Sequence, residues 1–562
     1  MGQQRAYLQN LICAAAMACL LLAAPAQADF FFGEPVNLGP VANTPVNDGS
    51  ACLSPDGLEL YTCSDRSAPG LGTWNLWVAR RPSGQEAWKE LVVLGPEVNS
   101  IADDVNAQLS FDGLELYFNS DRPDGRGGGD IWVTTRLTLA DQWGPAVNLG
   151  PQVNSSGTEM APAITGDGLR LFFGRTASGA AGFDLWVASR MTREEPWGTA
   201  TQLGMPVNTS ASEAHVSVSA DGLALFFSSH PYGPFRAGGH GGSDIWVTTR
   251  PMRDDPWETP WNPGPPLNTS YPESVPAVSP DGRWLYFGEW LRPRPGGHGG
   301  EDVRKAPIIP VTDFNGDGVV GGEDVLAFTQ CWGTDDSLCD IGPMPWGDRI
   351  VGVEDLKVLA EYIGQDVVDG TLVAHWALDE TEGDIAYDRT GAHDAAVMGT
   401  CTWQPDGGHV EGALAFDGTT AIRADLVLDP AGGSFGALAW VQGGAPGQVI
   451  VSQTDGVNWL MIDPVAGTLA TELIPPTTRF PVPPLVSDAS IADGRWHRVA
   501  FAWDGGSRNL YVDGALVATD EQPSLAPCEG GLNIGCAADQ DPATFFTGLI
   551  DDVRIYNRAV RP

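Results

Sequence analysis

Residues 313–324 read Asp313-Phe314-Asn315-Gly316-Asp317-Gly318-Val319-Val320-Gly321-Gly322-Glu323-Asp324. Carboxylate or amide oxygens stand at the first, third, fifth and twelfth places of this loop. Gly318 at the sixth permits a sharp turn, and the backbone carbonyl of Val319 adds an oxygen at the seventh. Oxygen donors at this spacing suit a hard cation, and calcium takes about six to eight of them. The expected ligands are Asp313, Asn315, Asp317, Val319 and Asp324, and the expected cofactor is Ca2+. Residues 325–332 read as a short amphipathic helix behind the loop. A second, weaker copy spans residues 340–364. It keeps the closing acid as Asp355 with an apolar helix, and Asp348 fits the fifth place. Arg349 replaces the turn glycine, and Met344 and Trp346 take ligand places, so weak or lost binding is expected there.

A second candidate set depends on a repeat. Asp-Gly pairs recur at Asp56-Gly57, Asp112-Gly113, Asp167-Gly168, Asp221-Gly222 and Asp281-Gly282, spaced 56, 55, 54 and 60 residues apart. Such a period sets the architecture. Each unit has an apolar strand, an Asp-Gly hairpin turn, an alternating strand, a Gly-rich loop, a Trp-bearing third strand and a closing strand. Four short antiparallel strands per unit make a propeller blade. The closing strand occurs at residues 36–39, ahead of the first turn, and is missing after the fifth unit near Val303. The first strand is therefore expected to complete the last blade. Eight residues before each turn Asp stands an acid: Asp48, Asp104, Glu159, Glu213 and Glu273. Either each caps a local turn, or the five ring one mouth of the channel, near His215, and bind a cation or cationic ligand. The turn Asp residues, the third-strand Trp residues, and Asp130, Asp184, Asp244 and Asp302 read as scaffold.

The chain has 562 residues, 43% hydrophobic, with 71 acidic against 31 basic side chains and a formal charge of -40. That balance opposes nucleic-acid binding, which needs cations against phosphate, and disfavours anionic membrane surfaces. It suits solubility or a cation-rich exterior. Residues 1–28 carry Arg5, an apolar stretch over 11–24 and Ala26-Gln27-Ala28, the pattern of a cleaved secretory leader. Cys19 follows Ala16-Met17-Ala18 and lacks a lipidation box. No later run reaches the roughly 18 apolar residues of a membrane span. Of nine Cys, two lie in the leader. Cys52/Cys63, Cys331/Cys339 and Cys528/Cys536 are close enough in sequence for disulfides in an oxidising compartment, leaving Cys401 over.

Several stretches resemble known families. Ser54-Pro55-Asp56-Gly57, Ser64-Asp65-Arg66 and Asp130-Ile131-Trp132-Val133 resemble the PD40, or WD40-like, repeat of TolB-type propellers, which implies a propeller and a binding role. The 313–324 loop with its helix resembles a dockerin, a module of two EF-hand-like units that attaches secreted polysaccharide-degrading enzymes to cohesins. Gly322 and Glu323 stand where that family commonly places hydroxyl residues for recognition. Residues 376–380, 413–418, 496–503, 509–514 and 548–558 resemble a LamG-like, concanavalin A-like jelly roll. This implies a two-sheet sandwich that binds glycan or protein, sometimes with calcium. Asp551 and Asp552 are open to metal binding or to a structural role.

The expected protein is mainly β. A leader over 1–28 precedes a five-bladed β-propeller over 29–310, a small α-helical dockerin-like calcium module over 311–369 and a C-terminal β-sandwich over 370–562. The favoured function is a secreted calcium-binding protein that recognises extracellular polysaccharide or glycoconjugate, with a protein ligand or a cohesin-like partner as alternatives. Two other readings remain. One is a glycoside hydrolase, which needs two unlike carboxyls where the ring is symmetric; the other is an assembly protein of the cell exterior.

Overall fold

Alternating apolar residues between Asp-Gly turns fold as antiparallel strands. The computed structural model describes residues 30–560 apart from 85, 177–181, 230–232, 290–293, 335, 337–338, 366–368, 455 and 476–481, so the expected leader over 1–28 lies outside the described residues. The first three blades are four-stranded meanders. Blade 1 runs through Asp48–Leu53, Glu59–Ser64, Asn75–Arg80 and Val92–Val93. Blade 4 has three strands, and its third meets Trp261 through a bridge at Val247. Blade 5 holds Glu273–Val278, Trp284–Glu289 and Asp302–Pro310, and its outer strands come from the start of the chain. Val36 and Asn37 pair with Lys305 and Arg304, and Phe30–Phe32 pairs with Ile308–Pro310. The ring is thus sealed as the unpaired sequence ends require, and a closed ring leaves fewer open strand edges. Apolar clusters fill the spaces between blades, such as Tyr61, Leu76, Leu116, Phe118 and Trp132 between blades 1 and 2.

A buried asparagine bolts each joint. Asn99, Asn154, Asn208 and Asn268 each accept from, and donate to, the backbone of one third-strand residue: Leu76, Ile131, Leu185 and Ile245. Asn43 does the same to Val303, 260 residues away. Each Asn lies five residues ahead of a ring acid. Asn37 also reaches Asp302 across the seam, as Asn148 reaches Asp130 within blade 2.

The chain folds into two bodies. One holds the described residues up to Thr312 with Cys331–Glu361; the other holds Asp313–Gln330 and the chain from Tyr362 onward. The second body is a concanavalin A-like jelly roll of two eight-stranded sheets. The long strands Thr547–Tyr556, Phe435–Gly443 and Trp496–Trp503 centre one sheet, and Leu532–Ile534, Val449–Gln453 and Asn458–Ile462 centre the other. Their inward side chains interdigitate around Trp376, Trp459, Phe435 and Phe501. Helix Gly322–Cys331 starts three residues earlier than expected, because Glu323 and Asp324 sit in its first turn, where the helix dipole favours acids. Helix Val353–Tyr362 repeats this with Glu354 and Asp355.

If the seam is an ordinary joint, Asn43→Ala and Asn154→Ala should cost alike, about 2–4 kcal/mol each, by stranding one buried N–H and one C=O. Chemical denaturation of the two variants checks this; a seam variant as stable as wild type would show the ring is not closed by Asn43.

Candidate functional site

The acidic loop brings together the carboxylates that spacing selected. Oxygens of Asp313, Asp317 and Asp324 lie within 4.8 Å of one another. Asp313 accepts from the N–H groups of Gly316, Asp317 and Gly318, and Asp324 from those of Phe314, Asn315 and Gly321. The Asn315 amide donates to Asp317 and Glu323. Val319 is exposed, with its N–H on Asp317. Burial, and then the charges of Asp324 and Asp317, push Asp313 up to about 6 against the pull of Arg558. Hard oxygens packed this closely fit a divalent cation, whose charge would offset their repulsion.

The loop belongs to the jelly-roll body, and side chains of one sheet and of the turn just after its last strand hold it by its carbonyls. Arg498 donates to Asn315 O at 3.0 Å, Arg554 and Tyr556 to Gly316 O at 2.8 Å each, and Arg558 to Asp313 O at 2.7 Å. Gly316 is needed there: its φ is +72°, and a Cβ would lie 3.1 Å from the Tyr556 hydroxyl. These arginines are far downstream of the loop, and no local motif announces them.

The second loop belongs to the propeller body. Asp340 accepts from the N–H groups of Asp348 and Arg349, and Asp355 from those of Ile341, Gly342 and Gly352, echoing Asp313 and Asp324. Arg349 takes the turn at φ +70°. Trp346 explains the missing ligands. Its ring meets Phe30 and Phe226 edge-on at 5.9 and 6.0 Å, and its N–H donates to Asp221 at 2.7 Å. The residues that break the cation pattern fasten the segment to blades 4 and 5.

The five ring acids are all fully buried, and each has its own guanidinium. Asp48 pairs with Arg66, Asp104 with Arg122, Glu159 with Arg175, Glu213 with Arg236 and Glu273 with Arg294. Each acid also accepts from the backbone N–H and hydroxyl of the residue four before it: Thr44, Ser100, Ser155, Thr209 or Thr269. Four of the arginines lie over the third-strand Trp of their blade, 4.3–5.2 Å from the ring centroid. The carboxylates therefore cap local turns and are neutralised from within each blade, so a bound cation is not needed to offset their repulsion.

At the same mouth, other positions break the repeat. The residue ahead of each third-strand position is Trp74, Gly129, Phe183, Ser243 or Glu301, and its carbonyl accepts the N–H of the next blade's ring acid. Five equivalent backbones thus present five unlike side chains. Two places beyond each ring acid, the inner strand bulges at Ser50, Asn106, Ala161, His215 and Val275, all with φ between +44° and +55°. His215 contacts Ser228 at 3.3 Å and Asn106 donates to Asn119 at 3.0 Å. Glu301 differs from the ring acids. It is 9% exposed, and its carboxyl takes no hydrogen bond or ion pair among the described residues. Burial, with the charges of Asp65 and Asp48, pushes it up to about 8.

Cys52 and Cys63 are unbonded thiols, contrary to the expected disulfide, because register sets Cys52 opposite Tyr61 and Cys63 opposite Gly49. Cys52 Sγ accepts from Leu109 N in blade 2, and Cys63 Sγ meets the Ser50 hydroxyl. Cys528 and Cys536 are also unbonded; Cys528 Sγ faces Thr454 O at 3.4 Å. Cys331 and Cys339 bring their sulfurs within 4.8 Å of each other and of an Asp336 oxygen. In the jelly roll, Asp552 pairs with His375 and Arg554, and Asp551 accepts from His409 N and Val410 N.

Residues 416–562 match a family model described as the concanavalin A-like lectin/glucanases superfamily. No curated protein matches the chain. Among solved structures, the chain is similar to Trypanosoma rangeli sialidase in complex with the inhibitor DANA, at 13% identity over 94% of this chain and 96% of that one, with a TM-score of 0.44. It is also similar to domain 4 of AbnA, a GH43 extracellular arabinanase from Geobacillus stearothermophilus, in complex with arabinotriose. There the identity is 20% over 34% of this chain and 94% of that one, with a TM-score of 0.24. A putative TolB from Agrobacterium tumefaciens is 18% identical over 46% of this chain and 78% of that one, with a TM-score of 0.30.

Two outcomes are expected. Arg122→Ala strands a buried charge on Asp104 and should cost about 3–5 kcal/mol, whereas the double variant Asp104→Leu/Arg122→Met should recover most of that loss. Equal costs in denaturant melts would mean that the pair is not the buried unit described. For Glu301, the folded state holds a proton that the unfolded state releases between its ordinary 4.5 and about 8. Stability should therefore fall as pH rises through that window. Glu301→Gln should remove roughly 3–5 kcal/mol of the fall; parallel pH profiles of the two proteins would show that Glu301 ionises freely.

Proposed function

We propose that the chain is a secreted, calcium-binding multidomain protein that recognises extracellular carbohydrate. The observation that carries this reading is the acidic loop held by four side chains of a concanavalin A-like jelly roll, three of them in one sheet. Calcium bound by Asp313, Asn315, Asp317 and Asp324 would stiffen that loop against the sheet, and Val319 would add its carbonyl. Among the described residues no helix is long and apolar enough to cross a membrane, and the formal charge of -40 fits a medium rich in divalent cations. The jelly-roll side chains take up the carbonyls of Asp313, Asn315 and Gly316, so the loop serves this chain's own jelly roll rather than presenting itself to a cohesin-like partner.

A second reading, glycoside hydrolysis, is favoured by one observation. Each ring acid has an arginine and Glu301 has none among the described residues, and burial pushes its carboxyl up to about 8, as suits a general acid. Reducing-sugar release from polysaccharide that vanishes in Glu301→Gln would move the protein to that class.

Calcium titration by calorimetry should show binding that Asp313→Ala abolishes. Calcium at about a hundred times its dissociation constant should stabilise the wild type by about 2.7 kcal/mol, seen as a higher Tm that chelator reverses. Unchanged calcium heats in Asp313→Ala would remove the loop from the reading. A glycan array probed with the calcium-loaded protein tests the carbohydrate half, and no binding to any glycan would reject it.

A further inference from the structure

Repetition separates scaffold from site in the propeller. The turn Asp, the bolt Asn, the ring acid and its Arg recur in every blade, so each is explained by the fold. Glu301 is not: its four counterparts are Trp74, Gly129, Phe183 and Ser243, and the blades that carry them close equally well. A carboxyl on a largely buried residue with no partner among the described residues costs stability, and nothing in the repeat requires this one.

Glu301 and Trp74 stand on neighbouring blades, 5 and 1, and both side chains approach Gly49, as the Cys63 thiol does. Where a Gly49 side chain would start, Glu301 Oε2 lies 3.4 Å away and a Trp74 ring carbon 3.8 Å away. Trp74 is half-buried. The local charge is unbalanced. Asp48 is neutralised by Arg66, but Asp65 accepts only from the backbone and side-chain amide of Asn47, and Glu301 from nothing. Among the described residues no lysine or arginine pairs with either acid.

We propose that this corner of the channel mouth binds a saccharide that carries a free ammonium group, with the ammonium on Glu301 and a face of the sugar ring on Trp74. An organic cation meets both needs of the site. Its charge favours the ionised form of Glu301, which has no partner among the described residues, and its C–H face and charge suit an indole ring. A hydrated divalent ion would gain nothing from the ring. The proposal rests on the carbohydrate reading above and adds the site and the chemical class. The asymmetry of the mouth then has a purpose: Gly129 and Ser243 leave room where the other blades place bulk.

Calorimetry on the full chain, with a glucosamine tetramer and its N-acetylated counterpart, tests this. The free amine should bind the wild type, and both Glu301→Gln and Trp74→Ala should weaken it about tenfold or more. The N-acetylated tetramer should bind the wild type at least about tenfold more weakly than the amine, since it carries no cation for Glu301. Gln is isosteric and uncharged, so thermal melts of Glu301→Gln should show a folded protein. Amine binding unchanged in Glu301→Gln, or equal binding of the two tetramers, overturns the site while leaving carbohydrate recognition elsewhere in the chain intact. Wild type that binds neither tetramer overturns this proposal too, and a blank glycan array alongside overturns the carbohydrate reading with it.

Discussion

A fully buried carboxylate and a largely buried guanidinium organise every blade of the propeller. The acid caps the turn that enters the inner strand, and its arginine lies along the third-strand side of the same blade, over a tryptophan in four cases. Desolvating two charges is unfavourable, and their attraction offsets it only with good geometry and further hydrogen bonds. Here the geometry is supplied five times by the same arrangement, with two extra donors on each acid. Arginine suits the role because its planar fork reaches a carboxylate and backbone carbonyls while its face stacks on a ring. Arg66, for example, donates to Asp48 and to Ala42 O at once.

How far the sequence revealed this differs by element. Five blades and the sealed seam were legible, because the Asp-Gly turns keep a nearly constant period and a spare strand at one end matches a missing one at the other. The acid column was legible too, but its partners were not. Arg66 and Arg122 follow their acids by 18 residues, whereas Arg175 stands closer, inside the second strand of its blade, and Arg236 and Arg294 stand farther on, in loops, so no column forms in the sequence. The bolt asparagines do form a column, at a constant five residues ahead of the acids, and a search for constant offsets would have found them. Glu301 was hidden for the opposite reason. Only the backbone repeats at that position, and five unlike side chains carry no signal until the blades are superposed by their hydrogen bonds.

The two loops near the middle of the chain show how one local pattern can be put to two uses. Both keep an opening and a closing acid that gather backbone N–H groups. In the first, small residues leave the carboxylates close together, and arginines of the jelly roll take up the outward carbonyls. In the second, Trp346 and its neighbours replace oxygen ligands with apolar and aromatic contacts to Phe30 and Phe226. Local sequence set the turns; what packs against them set their chemistry.

The seam ties the order of synthesis to the order of folding. Phe30–Phe32 and Asn37 leave the ribosome early, yet their partners are Ile308–Pro310 and Arg304. Blades 1 to 4 can form as local meanders, but the ring has no latch until the fifth has been made. Bringing the ends together across some 260 residues costs loop entropy that grows only slowly with length, so a late latch is tolerated. Until it shuts, the third strand of blade 5 offers an open edge to any passing strand. Closure therefore covers one strand edge that a chain stopping short of its latch would leave open.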